Sequence, residues 1–279
     1  MTEAFIHFFR RFPTLKPYTL LALSILVLGV FFFFPLVIMF IYSFAQRDTY
    51  GGIKAIHDFG QYIKSMSWLS NYIRSFEPIY IEIYFRSLWM AVLTTVLCLI
   101  IGYPIAYFIA LRTKPTWKNT LLTLVIIPFW TSFLIRTYAW IIILRTEGLI
   151  NQFLMGAGLI SSPIETLLYS EFAVMVGLVY GELPFMILPL YASIEKLDTS
   201  LLEAAGDLGA NSFWTFFKVT VPLTMPGIFA GIILVFIPTI GTFIIPDLLG
   251  GAKSILVGNL VQNQFAIARD KPFGAAICF

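Results

Sequence analysis

Two charged side chains stand inside otherwise uncharged apolar runs: Arg136 within residues 119–144 and Glu182 within residues 172–194. A charge at the centre of a bilayer costs roughly 2.5 to 3.5 kcal/mol on insertion scales, so each must face protein or water. Two chemistries are open to Glu182. Its carboxylate could attract an organic cation, with Trp130, Tyr138 and Tyr180 supplying cation-π faces. Alternatively it could pair with Arg136 of the preceding run, which makes Arg136 a structural or gating residue. Residues typical of hydrolytic or metal chemistry are scattered instead. His7 and His57 stand alone, and Cys98 and Cys278 lie far apart without metal-ligand spacing. The segment Gly250-Gly251-Ala252-Lys253-Ser254 lacks the glycine before lysine and the spacing of a phosphate loop. No catalytic residue, metal or cofactor is expected, and nothing points to nucleic acid.

The elements that carry these residues follow from composition. With 59% hydrophobic and 12% charged residues, the 279-residue chain lies far from soluble domains, which carry about 25% charge. It reads as an all-α integral membrane protein. Uncharged runs at 18–45, 87–111 and 219–246 each exceed the roughly 20 residues that cross a bilayer core. The runs at 119–144 and 172–194 bring the count to five spans. After Arg269-Asp270-Lys271 an apolar run begins and reads as the first turns of a sixth span, cut off. The first run, 28 residues long, exceeds a signal-peptide core of about 7 to 15 residues and reads as an uncleaved anchor.

Basic residues outside the spans divide almost evenly, eight on one side of the membrane and nine on the other. The shortest loop, holding Arg112, Lys114 and Lys118, tips the orientation towards a cytoplasmic N-terminus. The segment at about 46–84, mixed in aromatics and charges, then lies outside as a layer on the headgroups or a partner. Residues 254–268 read as a re-entrant or surface helix. Prolines 35, 104, 128, 184, 189 and 238 fall inside apolar runs and favour kinks. Gly177 with Gly181, and Gly227 with Gly231, have the spacing that lets helices approach closely, within the subunit or between subunits.

The loop at about 195–228 is longer than a connector. Ser200 and Glu203 fit a capping box, predicting a helix from about Leu201 with Leu201, Ala205 and Leu208 as a narrow apolar stripe. Gly209 is placed to end it in the left-handed conformation. Asn211 or Ser212 can cap a second short helix carrying Phe213, Trp214, Phe216 and Phe217. Two short helices at the membrane face make a knob.

Glu203-Ala204-Ala205, Gly209-Ala210, Phe216, Val219, Pro222-Leu223 and Pro226-Gly227-Ile228 resemble the EAA loop of permease subunits of binding-protein-dependent ABC importers. Pro128-Phe129-Trp130-Thr131 with Leu134 to Tyr138, Leu183-Pro184-Phe185-Met186, Pro189-Leu190-Tyr191 and Ile194 to Asp198 resemble the spermidine/putrescine branch of that family. The resemblance runs from about Ser87 onward. It implies the transmembrane domain of a type I ABC importer, one domain over 1–279 with its core at about 83–279, in a bacterial inner membrane. It further implies a second permease subunit, two copies of a cytoplasmic ATPase and an external polyamine-binding protein. Glu203, Ala204, Ala205 and Gly209 would then dock the ATPase. A permease for thiamine, an iron chelate or an opine, or an ion-coupled carrier, are the alternatives.

Overall fold

The apolar runs fold as helices, and the breaks between and within them follow proline and polar residues. In the computed structural model, residues 15–48, 52–54, 66–251 and 254–279 are described. His7, His57, Ala252 and Lys253, named above, lie outside them. The helices are α1 (Leu15–Leu28), α2 (Phe34–Ser43), α3 (Ser70–Ser75), α4 (Pro78–Tyr107), α5 (Pro115–Ile126), α6 (Phe133–Leu144) and α7 (Leu149–Gly156). They continue as α8 (Glu171–Ile194), α9 (Ser200–Asp207), α10 (Ser212–Thr215), α11 (Val221–Leu223), α12 (Met225–Gly241), α13 (Val257–Ala266) and α14 (Lys271–Cys278). Among the described residues, extended pairing is limited to one isolated bridge between Arg47 and Ile53.

Among the described residues, three helical stretches are long and apolar enough to cross a membrane: Ser24–Ser43, Pro78–Arg112 and Glu171–Ile194. Two more stretches qualify only as bent pairs. Pro115–Trp130 with Phe133–Gly156 turns through 90°, and Ser212–Leu223 with Met225–Gly241 through 69°. The expected third and fifth spans are therefore broken rather than straight. Pro128 sits in a 3₁₀ turn, Ile127–Trp130, and Thr131 leaves the helical region, so the ladder stops before α6 begins. Pro226 lacks the N–H that would continue the ladder back to Pro222, and the chain turns at Thr224. Elsewhere the helices widen into π turns, at Gly29–Phe33 just before Pro35 and at Phe108–Arg112 just after Pro104. A widened turn relieves the clash of a proline ring with the preceding carbonyl.

Two compact units are distinguished, residues 78–260 and residues 1–77 with 261–279. In the first, α4, α8 and α12 pack on one another. Small residues set their spacing. A Cβ on Gly227 would stand 2.4 Å from Ser193 Cβ and 2.7 Å from the Pro189 carbonyl oxygen, and one on Gly231 2.6 Å from Met186 Sδ. A Cβ on Gly177 would meet Leu249 Cδ1 at 2.5 Å. Both glycine pairs thus pack inside this chain. Cys98, Met186, Leu190, Ile194 and Val235 form one apolar core, and Leu144, Val174, Leu178, Leu249 and Leu256 a second. In the other unit, α14 packs on α2 and α3. Asp270 caps α14 by accepting from Phe273 N at 3.2 Å and pairs with Arg74 at 2.8 Å.

Candidate functional site

The loop after α8 builds the first candidate site. Helix α9 begins at Ser200, and the expected capping box is not formed. Its N-terminal partner is Asp198, whose Oδ1 accepts from Ser200 N at 3.0 Å. Thr199, the flanking residue, has helical angles and makes no side-chain cap. Carboxylates bond peptide N–H groups more strongly than hydroxyls do, which favours Asp198 over Ser200 as the capping oxygen. That bond lowers the Asp198 pKa below its usual value.

The far end of α9 behaves as the sequence implied. Gly209 takes φ +84°, a conformation in which a side chain is strained. Gly209 N donates to Gly206 O at 2.8 Å and Ala210 N to Ala205 O at 3.0 Å. These two bonds are the Schellman pattern, which satisfies carbonyls at a helix end. The turn throws Leu208 into the open, 88% exposed, while Ala205 is half-buried. Glu203, Ala204 and Gly209 are exposed as well. Asn211 Oδ1 then accepts from Trp214 N at 2.9 Å to start α10, as expected.

Behind α9 lies a cleft of 370 Å³, lined by Arg112, Leu202, Glu203, Gly206, Ala210 and Phe216 among others. A buried contact ties the start of the fifth span to α4. Tyr103 Oη of α4 lies 2.7 Å from Thr224 Oγ1, the residue at the 69° bend. Neither Tyr103 nor Thr224 stands out in sequence; their separate positions before Pro104 and Pro226 were the available signal.

The second candidate site is differently placed from the simplest sequence reading. Glu182 is 9% exposed on the packed face of α8, and its Oε2 has no hydrogen-bond partner. Arg136 does not pair with it: the ion pairs among the described residues are Arg74–Asp270, Arg86–Glu171 and Lys118–Glu195. Instead the Arg136 guanidinium lies over the Phe129 ring at 4.4 Å, with Nε and Nη1 buried and unpartnered. The cation therefore meets the face of an aromatic ring from the other limb of the broken span, beside α8 but without a salt bridge to Glu182.

The aromatic candidates do not gather into one cage around Glu182. Trp130 is 79% exposed and Tyr138 is exposed. Tyr180 meets Trp140 edge-on at 5.5 Å. Arg136 and Tyr180 do share a small cavity with Phe133, Thr137, Trp140 and Gly181. Its volume of about 10 Å³ admits at most one water.

A family model described as "Binding-protein-dependent transport system inner membrane component" matches residues 102–277. The chain belongs to that family. It is a permease-family protein of the inner membrane, not a member of an enzyme family. It is similar to the spermidine/putrescine transport system permease protein PotB of Escherichia coli K12, 46% identical over 249 residues, covering 89% of this chain and 86% of the relative. The PotB of Haemophilus influenzae is 50% identical over 75% of this chain and 72% of its own length. The inner membrane ABC transporter permease protein YdcU of Escherichia coli K12 is 34% identical, over 92% of this chain and 84% of its own.

Among solved structures, a bacterial ABC transporter involved in importing the acidic polysaccharide alginate superposes with a TM-score of 0.70. The match covers 96% of this chain and 92% of that one at 16% identity, and so speaks for the fold alone. The same fold recurs in the bacterial alginate ABC transporter in complex with its alginate pentasaccharide-bound periplasmic protein, again at a TM-score of 0.70. The fold is thus the all-helical one of type I ABC importer permeases, and the ion-coupled carrier is not favoured.

Proposed function

We propose that this chain is a pore subunit of an ATP-driven importer of polyamines such as spermidine and putrescine. The observation that carries the proposal is 46% identity to a spermidine/putrescine permease over 89% of the chain. In this reading residues 1–279 act as one permease domain with a cytoplasmic N-terminus. A second permease subunit completes the pore, two ATPase subunits drive it, and an external polyamine-binding protein delivers the solute. ATP is hydrolysed by the ATPase partner.

Helix α9 is the motor contact, with Glu203, Ala204, Ala205 and Gly209 docking the ATPase and Leu208 entering a pocket on it. Alanine and glycine keep the surface flat, and the closed carbonyl end lets Leu208 project without exposing unsatisfied backbone. Cargo passes near Glu182, with Trp130, Tyr138 and Tyr180 along the pathway and Arg136 as a gating residue. Because Glu182 is sealed here, access to it belongs to another conformation of the cycle.

Proteoliposomes holding the full complex test the reading. ATP-dependent accumulation of labelled spermidine, competed by putrescine and not by thiamine, is the expected result. Accumulation without any ATPase, or competition by an unrelated solute alone, would overturn it.

A further inference from the structure

The bend at Thr224 poses a mechanical problem. A span broken through 69° at a proline has lost backbone bonds at the very place where movement of α9 would have to pass into α12. An unsupported elbow flexes, and displacement is then absorbed there.

The structure supplies a brace. Thr224 is fully buried, and its Oγ1 donates to Thr220 O at 2.8 Å. The hydroxyl has a single proton, so the 2.7 Å contact with Tyr103 is made by the tyrosine O–H donating to Thr224 Oγ1. The result is a chain from Tyr103 through Thr224 to the last carbonyl of the preceding π turn, Phe216–Thr220. The Tyr103 ring also meets Phe216 edge-on at 5.2 Å, so one side chain grips both the elbow and the limb that leads to α10. Its own position is fixed from the other side, because the neighbouring Gly102 lets α4 pack closely against Met186 of α8.

We propose that Tyr103 is a positioning residue that locks the elbow at Thr224, so that α9, the loop limb and α12 move as one arm. The proposal rests on α9 being the motor contact. With the lock in place, work done on α9 turns α12; without it, ATP is spent flexing the elbow.

The experiment uses the assembled complex in proteoliposomes and reads solute transported per ATP hydrolysed. Tyr103→Phe keeps the ring packing and removes the hydroxyl. The transported-to-hydrolysed ratio should fall about fivefold, the worth of one buried neutral hydrogen bond, while ATP hydrolysis continues. Thr224→Val should lower the ratio similarly, Thr224→Ser should restore it, and the double variant should be no worse than either single one. An unchanged ratio in Tyr103→Phe, or a loss in Thr224→Ser equal to that in Thr224→Val, would overturn the lock. Should Tyr103→Phe fail to assemble, the two Thr224 variants decide the matter alone. Failure of the motor-contact reading shows separately, as an ATPase that still co-purifies with Leu208→Asp.

Discussion

A buried carboxylate oxygen that lacks a hydrogen-bond partner costs stability. Glu182 has a buried, unpartnered Oε2, and Arg136 has two buried, unpartnered nitrogens on a neighbouring element. Replacing Glu182 by Gln removes the charge and keeps the shape. Under the pathway reading, spermidine uptake should fall at least about tenfold, since bonds to charged groups are the stronger ones, while the complex still assembles. Unaltered uptake kinetics would remove Glu182 from the pathway. Neither the missing ion pair nor the parking of Arg136 on Phe129 was legible in sequence. The angular position of a side chain around its helix, relative to another helix, depends on the break at Thr131, and no local pattern encodes that.

Asp198 offers a second test at this scale. Its pKa is lowered by the bond from Ser200 N, so the cap contributes stability above the ordinary carboxylate value and loses it as pH falls through the depressed one. Exchange of the Ser200 amide, corrected for its intrinsic rate, should stay slow at neutral pH and quicken only as the pH falls below the ordinary carboxylate range. In Asp198→Asn that acid step should vanish.

At the scale of elements, the existence of the membrane helices was legible because an apolar run of about 20 residues has few other fates. The start of α8 agrees with the expected fourth span to within one residue, helped by Ser170 accepting from Ala173 N. Bends were legible as tendencies attached to proline. Their size was not, since Pro104, Pro184 and Pro189 lie inside continuous helices while the stretch after Pro128 turns through 90°. Tertiary packing decides which prolines break a helix. The close approach of α12 to α8 gives a prediction of its own. Gly227→Val would drive a branched side chain into Ser193 and the Pro189 carbonyl, costing about 1 to 3 kcal/mol as overpacking does. Thermal unfolding in detergent should show the drop, whereas Gly241→Ala, with open space around it, should barely shift the midpoint.

For the whole molecule, the family and its all-helical fold set a sequence with one central carboxylate among inner-membrane permeases. The fold and the helical loop at 195–228 were legible because the EAA-like spacing and the apolar runs are local properties. The polyamine branch was legible as a resemblance at residues 128–138 and 183–198, in line with the 46% identity to a spermidine/putrescine permease. The exposure of Leu208 has a further consequence. A large aliphatic side chain 88% exposed, in the same loop as the exposed Phe213 and Trp214, is the kind of apolar surface that marks a contact. A copy synthesised without its partners would present that surface to every chaperone and protease it met. Supply of this subunit must then be matched to supply of the rest, and surplus copies should be short-lived. Pulse-chase labelling should find the lone subunit degraded several-fold faster than the co-expressed one, with Leu208→Asp narrowing the gap; equal lifetimes would show that the exposed leucine is no tag for an orphan.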